Sequence, residues 1–192
     1  LRTKAKEMVK VYGEGYIAIG PFFTLERLKG EFEELSLPDS YKSIADRVAA
    51  KGIHLHWGKW LIPGSPNALL IDFSEALSRA NDIKHQLWER YHIDSLNTGD
   101  DVTHPFTWAW CVGEVIEQVL RGAGAPQGVA HFHEWLSGAG LLYLKKVGAP
   151  IKTVFTTHAT VLGRSLAEAG LPLYEMMNDI EPLESCRPGL PE

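Results

Sequence analysis

The chain has 192 residues, of which 45% are hydrophobic, and this length suits one domain with a sizeable core. Its 24 acidic and 19 basic side chains give a formal net charge of -5 without a long basic run, so we expect no nucleic-acid partner. The two cysteines are too few for a disulfide framework, and no apolar run approaches the roughly 20 residues that span a bilayer. We therefore expect a cytoplasmic protein in a reducing setting, with no membrane partner.

The sequence up to about residue 122 predicts helices and strands in mixed order. Apolar residues recur at a spacing of three and four between Arg2 and Tyr12, which predicts the back half of a helix. The run YIAIGPF at 16–22 is dense in β-forming residues and predicts a buried strand. The remaining predictions are helices over 25–35, 40–51, 74–91 and 104–122, and strands over 52–62 and 68–73. Ser74 is the expected cap of its helix, and Pro105 is expected in the first turn of the last one.

The last third of the sequence alternates strands and helices. The segments GVAHFHEW and IKTVFTTHA predict strands, and LSGAGLLYLKKVG and TVLGRSLAEAG predict the helices that follow them. Connections this short are typical of parallel βαβ units with right-handed crossovers. We therefore predict an α/β fold, with a Rossmann-like parallel sheet flanked by helices in residues 1–170 and an irregular tail over 171–192.

Polar residues cluster where the last two predicted strands end. Side chains alternate along a strand, so His131 and His133 are expected on one face and Phe132 on the other. Ligands of open α/β sheets bind beyond the carboxyl ends of the strands. This rim is the predicted functional site, and its polar residues are His131, His133, Glu134, Thr156, Thr157, His158 and the candidate helix cap Thr160.

Several of these residues also have a purely structural interpretation. His131 is equally compatible with a hydrogen-bonded structural role, Glu134 can cap the helix that follows it, and Trp135 can seal the sheet against that helix. His131, His133 and His158 have the ligand types of a zinc hydrolase. However, a histidine pair on a strand without a clear carboxylate partner is weak evidence for zinc.

Other local patterns give no catalytic motif. The sequence contains no G-x-G-x-x-G, no P-loop and no G-x-S-x-G, so dinucleotide binding, P-loop hydrolysis and serine hydrolase chemistry lack their local motifs. His54 and His56 lie beside Trp57 and Trp60, and we interpret them as structural residues or rim contacts. The glycines of LSGAG at 136–140 are explained by close packing of a helix against a sheet.

Two long motifs carry a family resemblance. AHFHEWLSGAGL, followed by IKTVFTTHATVLGRSL, resembles the glycogen synthase family of the eukaryotic type, and the similarity continues upstream through TWAWCVGE, KGIHLHWGKWLI, IGPF and LRTKAK. The resemblance implies a retaining glucosyltransferase of the GT-B fold, which transfers glucose from UDP-glucose to the non-reducing end of an α-1,4-glucan. It further implies that this chain is most of the N-terminal, acceptor-side domain without its first strand. Alone it is expected to be inactive, because the C-terminal domain of the family holds most nucleotide contacts.

The resemblance also implies roles for individual residues. His133 matches the family histidine that contacts the transferred glucose and is the expected catalytic residue. Its expected substrate-binding companions are His131, Glu134, Trp135, Thr157, His158 and Arg164. Neither a metal nor a cofactor is expected besides UDP-glucose as the donor substrate. The expected partners are the α-glucan acceptor, the nucleotide sugar and the C-terminal domain of the same enzyme, and a homo-oligomer is compatible with the family.

A different class of function rests on the tryptophans. Trp57, Trp60 and Trp110 could present a sugar-stacking or partner surface in a non-catalytic glucan-binding or assembly module. Their apolar spacing favours core packing instead. Solvent exposure of two or more of these rings would support the binding module.

Overall fold

The structure is a computed structural model that describes residues 2–122 and 128–176. Four helices and four strands precede residue 123: α1 Arg2–Tyr12, β1 Ile17–Pro21, β2 Phe32–Leu35, α2 Asp39–Ala49, β3 His54–Trp60, β4 Asn67–Asp72, α3 Ala80–Tyr91 and α4 Asp100–Gly122. The later elements are β5 Val129–His133, α5 Gly138–Lys146, β6 Lys152–Thr156, α6 Val161–Glu168 and α7 Leu173–Met176. Of the predicted tail over 171–192, the part beyond residue 176 lies outside the described residues, as does Cys186.

The strands form two sheets. One has four strands in the order β1-β4-β3-β2, and the other pairs β5 with β6. β1 runs parallel to β4, and β5 runs parallel to β6 with α5 as the crossover. β3 is antiparallel to both of its neighbours. For β4 the reason is the connection over 61–66, which is too short for a parallel crossover. The α/β class and the βαβ unit are therefore confirmed, while the larger sheet is mixed.

The prediction of a helix over residues 25–35 is wrong. Residues 25–31 form turns, and residues 32–35 form β2, which pairs antiparallel with β3. Gly30 has a φ of 80°, which breaks a right-handed helix at this point. Leu25 is 55% exposed, so the first turn of this segment buries little apolar surface that could stabilise a helix.

The predicted helix caps are also partly wrong. The helix expected over 74–91 is divided into a 3-10 segment, Glu75–Arg79, and α3. Ser74 makes no side-chain cap, and its backbone N–H instead donates to Asp72 Oδ1 at 2.9 Å. α4 begins at Asp100, so Pro105 lies inside this helix rather than in its first turn.

The core is built around α4, which packs against α2, α3, α5 and β4. Trp110 of α4 is 2% exposed and meets Tyr143 of α5 edge to face, with 5.0 Å between ring centroids. Trp57 is half-buried beside Tyr41, and Trp60 is half-buried as well. Core packing is thus confirmed for Trp110, and none of the three rings is exposed as a binding module would require. Among the described helices, none is long and apolar enough to cross a membrane.

Helices α4 and α5 touch through glycines. A Cβ on Gly140 would lie 2.5 Å from the carbonyl oxygen of Ala109, and a Cβ on Gly113 would lie 2.9 Å from the carbonyl oxygen of Gly140. Close packing therefore explains Gly140, but its backbone neighbour belongs to α4, and the predicted contact with a sheet is made only by the ring of Phe132. Close packing does not explain Gly138, whose Cβ would meet nothing within 4 Å.

One buried charge cluster holds three segments together. Glu114 of α4 is only 4% exposed, and its carboxylate accepts hydrogen bonds from Arg79 Nη2 at 3.0 Å and Lys51 Nζ at 3.1 Å. Arg79 ends the 3-10 segment before α3, and Lys51 lies in the turn after α2. The cluster therefore fixes two loops to the central helix.

Candidate functional site

The predicted rim forms where β5 and β6 end side by side. His131 is paired in register with Val154, and His133 with Thr156. The backbone N–H of Glu134 donates to the carbonyl oxygen of Thr156 at 2.8 Å, which extends the pairing one residue past β5. The two strand ends are consequently locked together, and the polar residues that follow them share one edge of the sheet.

The two histidines of β5 lie face to face. Their ring centroids are 4.1 Å apart with an angle of 22° between the ring planes, so they share one face of the strand as predicted. Phe132 points to the opposite face and is 4% exposed in the core. The buried phenylalanine fixes the strand in the fold, and the imidazoles are left on the open side.

His131 makes two hydrogen bonds that define its tautomer. Lys4 Nζ of α1 lies 2.9 Å from Nδ1, and Thr156 Oγ1 of β6 lies 2.8 Å from Nε2. An ammonium group only donates hydrogen bonds, so Nδ1 must accept and Nε2 must carry the proton that it donates to Thr156. Partial desolvation, and then the charge of Lys4, lower the pKa of His131 below its usual 6.5.

His133 is half-buried at the end of β5, and its ring is available to a ligand. Within residues 2–122 and 128–176, no hydrogen-bond partner is seen for either of its ring nitrogens. Desolvation is the largest cause that lowers the pKa of His133 below 6.5, followed by the charges of His131, Lys4 and His158. The ring is therefore a neutral imidazole at pH 7, with one nitrogen that can donate and one that can accept.

Glu134 connects the two strand ends through its side chain. Its carboxylate accepts hydrogen bonds from the backbone N–H of His158 at 2.8 Å and from Thr157 Oγ1 at 3.1 Å. The bond from the His158 amide is the largest cause that lowers the pKa of Glu134. Glu134 is therefore an ionised anchor for the loop after β6, and its bonds do not resemble those of a proton donor.

The backbone of Glu134 is strained. Its φ of 64° and ψ of 166° lie in a region that glycine occupies almost alone. A serine that the sequence analysis did not select secures this bend: Ser137 Oγ donates to the carbonyl oxygen of His133 at 2.8 Å and lies 3.1 Å from that of Glu134. No sequence pattern marks this serine, because a serine before a helix normally predicts a cap.

The remaining predicted site residues, Trp135, Thr160 and Arg164, lie around the group formed by His131, His133 and Glu134. Trp135 is 40% exposed and contacts Phe106 of α4 edge to face at 6.2 Å. Thr160 Oγ1 accepts the backbone N–H of Gly163 at 2.9 Å, which confirms the predicted cap of α6. Arg164 is exposed on α6 and acts on Glu134 only through its charge. The structure thus groups His131, His133, Glu134, Thr157 and the His158 backbone, with Trp135 and Arg164 at the periphery.

The geometry does not favour the zinc hypothesis. Among the described residues, no group of three or more histidine, cysteine, aspartate or glutamate side chains could hold a metal ion. Both ring nitrogens of His131 are already engaged by Lys4 and Thr156. Coordination of a metal ion by His131 would therefore have to break one of these two hydrogen bonds.

The other strand histidines have structural partners, as expected. His56 Nδ1 lies 2.7 Å from Glu34 Oε1, and its ring stacks on Phe22 with 3.6 Å between centroids. His54 Nε2 lies 3.3 Å from Glu75 Oε2. These contacts connect β3 to its surroundings and leave the histidines of β5 as the candidate chemical groups.

Comparison with known proteins identifies the family. A family model described as glycogen synthase matches residues 1–184, which is nearly the whole chain. The chain belongs to the glycogen synthase family. Three relatives carry the name glycogen [starch] synthase: that of Dictyostelium discoideum is 34% identical over 180 residues, that of Neurospora crassa 36% over 180 residues, and the liver protein of Homo sapiens 34% over 185 residues.

The matches cover 92%, 91% and 93% of this chain, respectively, but only 20%, 25% and 25% of those relatives. The chain thus spans a fifth to a quarter of the length of the glycogen synthases that it resembles. Membership confirms the resemblance in AHFHEWLSGAGL and the segments around it. The roles of the individual rim residues are not tested by these comparisons and stay predictions.

Proposed function

We propose that this chain is the N-terminal, acceptor-side part of a retaining glucosyltransferase that moves glucose from UDP-glucose to the non-reducing end of an α-1,4-glucan. Membership of the glycogen synthase family supports the reaction class. The chain corresponds to only 20–26% of its relatives, so the remainder of such an enzyme must supply the other side of the cleft. The isolated 192 residues are therefore expected to be inactive.

The observation that carries the proposal is the position of His133 at the end of β5, where its ring nitrogens have no hydrogen-bond partner among the described residues and desolvation lowers its pKa below 6.5. A glucosyl centre that loses its leaving group develops positive charge. A neutral imidazole can donate to one sugar hydroxyl and accept from another without adding a positive charge beside that centre. We assign His133 as the catalytic contact to the transferred glucose.

The reaction needs no carboxylate nucleophile in this scheme. The bond between the anomeric carbon and the UDP oxygen breaks, and a new bond forms on the same face to the 4-hydroxyl oxygen of the glucan. The proton of that hydroxyl passes to the phosphate oxygen of the departing UDP. The protein then contributes mainly by positioning the reactants and stabilising charge. This fits Glu134, whose carboxylate is already occupied by Thr157 and the His158 amide.

The other rim residues take substrate-binding roles. His131, Glu134, Trp135, Thr157, His158 and Arg164 would shape the pocket for the nucleotide sugar and the glucan. Neither a metal nor a cofactor takes part beyond the UDP-glucose donor. The enzyme would act in the cytoplasm on an α-glucan, with the C-terminal domain as its essential partner and a homo-oligomer as a compatible assembly.

The test is glucosyl transfer from UDP-glucose to glycogen by the full-length protein that contains this chain. His133→Ala should lower kcat by about 10²–10³-fold, the usual loss when one group that stabilises the transition state is removed. His85→Ala is the matched control, because His85 is exposed on α3 and away from the rim. Thermal unfolding of both variants should match the parent. Transfer by His133→Ala within a few-fold of the control would overturn the assignment.

A further inference from the structure

Lys4 is the least expected member of the rim. It lies on α1, 127 residues before His131 in the sequence, and no sequence pattern connects the two residues. Its side chain is half-buried, and its ammonium group lies 2.9 Å from His131 Nδ1. A lysine normally stays at the surface with its charge in water, so an ammonium group bound to an uncharged ring nitrogen needs an explanation.

We propose that Lys4 is a positioning residue: by donating to Nδ1 of His131 it fixes the tautomer and ring plane of His131, and through the stacked rings it orients His133. The proposal rests on the proposed function of His133 as the group that contacts the transferred glucose. Lys4 itself need not touch a substrate.

The chain of contacts begins with the proton on His131. Because Lys4 occupies Nδ1 as a donor, the His131 proton must reside on Nε2, where Thr156 Oγ1 accepts it at 2.8 Å. Two bonds at opposite sides of the ring prevent both a ring flip and a change of tautomer. Removing Lys4 would free Nδ1, and either tautomer, or the doubly protonated ring, would then be allowed.

The fixed ring of His131 is the surface on which His133 lies. With 4.1 Å between centroids and 22° between planes, rotation of either ring would collide with the other or open the stack. His133 has no hydrogen-bond partner among the described residues, so this stack is the contact that sets its ring plane. Lys4 is therefore two contacts away from the sugar-facing nitrogens.

The charges around the pair act in the same direction. Lys4 faces both rings from α1, His158 faces His133 from the loop after β6, and the two imidazoles face each other on β5. Thr156 is uncharged, and the carboxylate of Glu134 is directed to the His158 amide and Thr157. A proton added to either ring would meet the positive charge of Lys4 without a carboxylate bonded to that ring. The pair accordingly stays neutral to a lower pH with Lys4 than without it.

The first test does not depend on catalysis. Long-range proton–nitrogen NMR spectra of the chain labelled with [15N]histidine distinguish the tautomers of each imidazole. The parent should show His131 protonated on Nε2 alone, whereas Lys4→Met should show a mixture and a higher pKa for both rings. Lys6→Met is the matched control on the same helix, because Lys6 is exposed and makes no hydrogen bond or ion pair with a described residue of the rim. Methionine keeps the apolar stem of the lysine, so the fold should persist in both variants.

The second test uses the pH dependence of kcat/KM in the full-length protein. Lys4→Met should lower kcat by about tenfold or more, since misplacing a reacting group by 1 Å costs about 10²-fold. In this variant, the acid limb of the kcat/KM profile should also move to higher pH, toward the ordinary histidine pKa of 6.5. Lys4→Arg restores a cationic donor, so its acid limb should lie at the same pH as that of the parent. The acid limb of Lys6→Met should also be unchanged from the parent.

The outcomes separate the two proposals. An unchanged His131 tautomer in Lys4→Met would overturn the positioning role, whatever the activity of the variant. A raised KM for UDP-glucose with an unchanged tautomer would mean that Lys4 binds the donor directly, which also overturns it. If the tautomer changes as expected but His133→Ala remains fully active, the contact is real and the proposed function of His133 fails instead.

Discussion

Replacing Gly140 by alanine tests whether the approach of α4 to α5 holds the rim in place. The new Cβ would lie 2.5 Å from the carbonyl oxygen of Ala109 and 2.9 Å from Cε1 of Phe132. The first neighbour is backbone of the central helix, and it cannot rotate away. The second is the buried ring of Phe132, the residue between His131 and His133 in the sequence of β5, so a displacement of α5 reaches the strand that carries the candidate site.

Two opposing effects determine how much unfolding free energy Gly140→Ala loses. Alanine is favoured over glycine inside a helix by about 0.8–1.0 kcal/mol. Overpacking a tight core costs about 1–3 kcal/mol, and a rigid backbone contact places this site at the upper end of that range. The expected net loss is about 2 kcal/mol of unfolding free energy. For a domain of this size it corresponds to a fall in Tm of about 4–8 °C.

The assay is urea unfolding followed by tryptophan fluorescence, with Gly138→Ala as the matched control. Gly138 is the first residue of the same helix, and a Cβ there would meet nothing within 4 Å. This control should be as stable as the parent or slightly more stable. If Gly140→Ala unfolds at the same urea concentration as Gly138→Ala, the close helix contact does not exist in solution and the reasoning fails.

Two further predictions concern charge. Glu114→Ala leaves Arg79 and Lys51 without the carboxylate that they share, and should cost about 3 kcal/mol, the low end for a broken buried pair because both cations partly reach water. Lys42→Ala, in an exposed pair with Asp39, should change stability by less than about 1 kcal/mol in the same urea series; equal losses would contradict the argument. Folding should also weaken as the pH falls below 6.5, because the unfolded chain then binds protons that His131 and His133 resist in the folded state. His131→Phe should flatten this slope in unfolding measurements between pH 5 and 8, and an unchanged slope would show that His131 is not its source.

The sequence was most informative where local pattern and long-range structure agree. The segment around β5, α5 and β6 has short connections, dense apolar runs and a helix closed by Gly148, and these features allow few arrangements other than a parallel βαβ unit. The side-chain alternation of a strand likewise sufficed to place His131 and His133 on one face. These predictions needed no knowledge of what packs against the segment.

Prediction failed where a distant partner decides the local structure. Residues 32–35 have a helix-compatible composition, yet they form β2 because β3 offers hydrogen bonds to their backbone. The same limitation applies to the contact between Lys4 and His131. The spacing of residues along α1 predicts a helix face, but it does not predict what that face contacts. Its role becomes visible only once the fold brings α1 beside β5. Contacts across more than a hundred residues leave no periodicity in the sequence.

The bend at Glu134 shows how the rim combines strain with anchoring. A glycine would adopt its φ of 64° and ψ of 166° freely, whereas a residue with a side chain costs on the order of 1–3 kcal/mol in such a region. Only a side chain, however, can reach the His158 amide and Thr157 across the gap between the strands. The carboxylate therefore offsets the strain that its own backbone creates. In doing so, it holds the end of β6 beside His133, the residue that we propose contacts the transferred glucose.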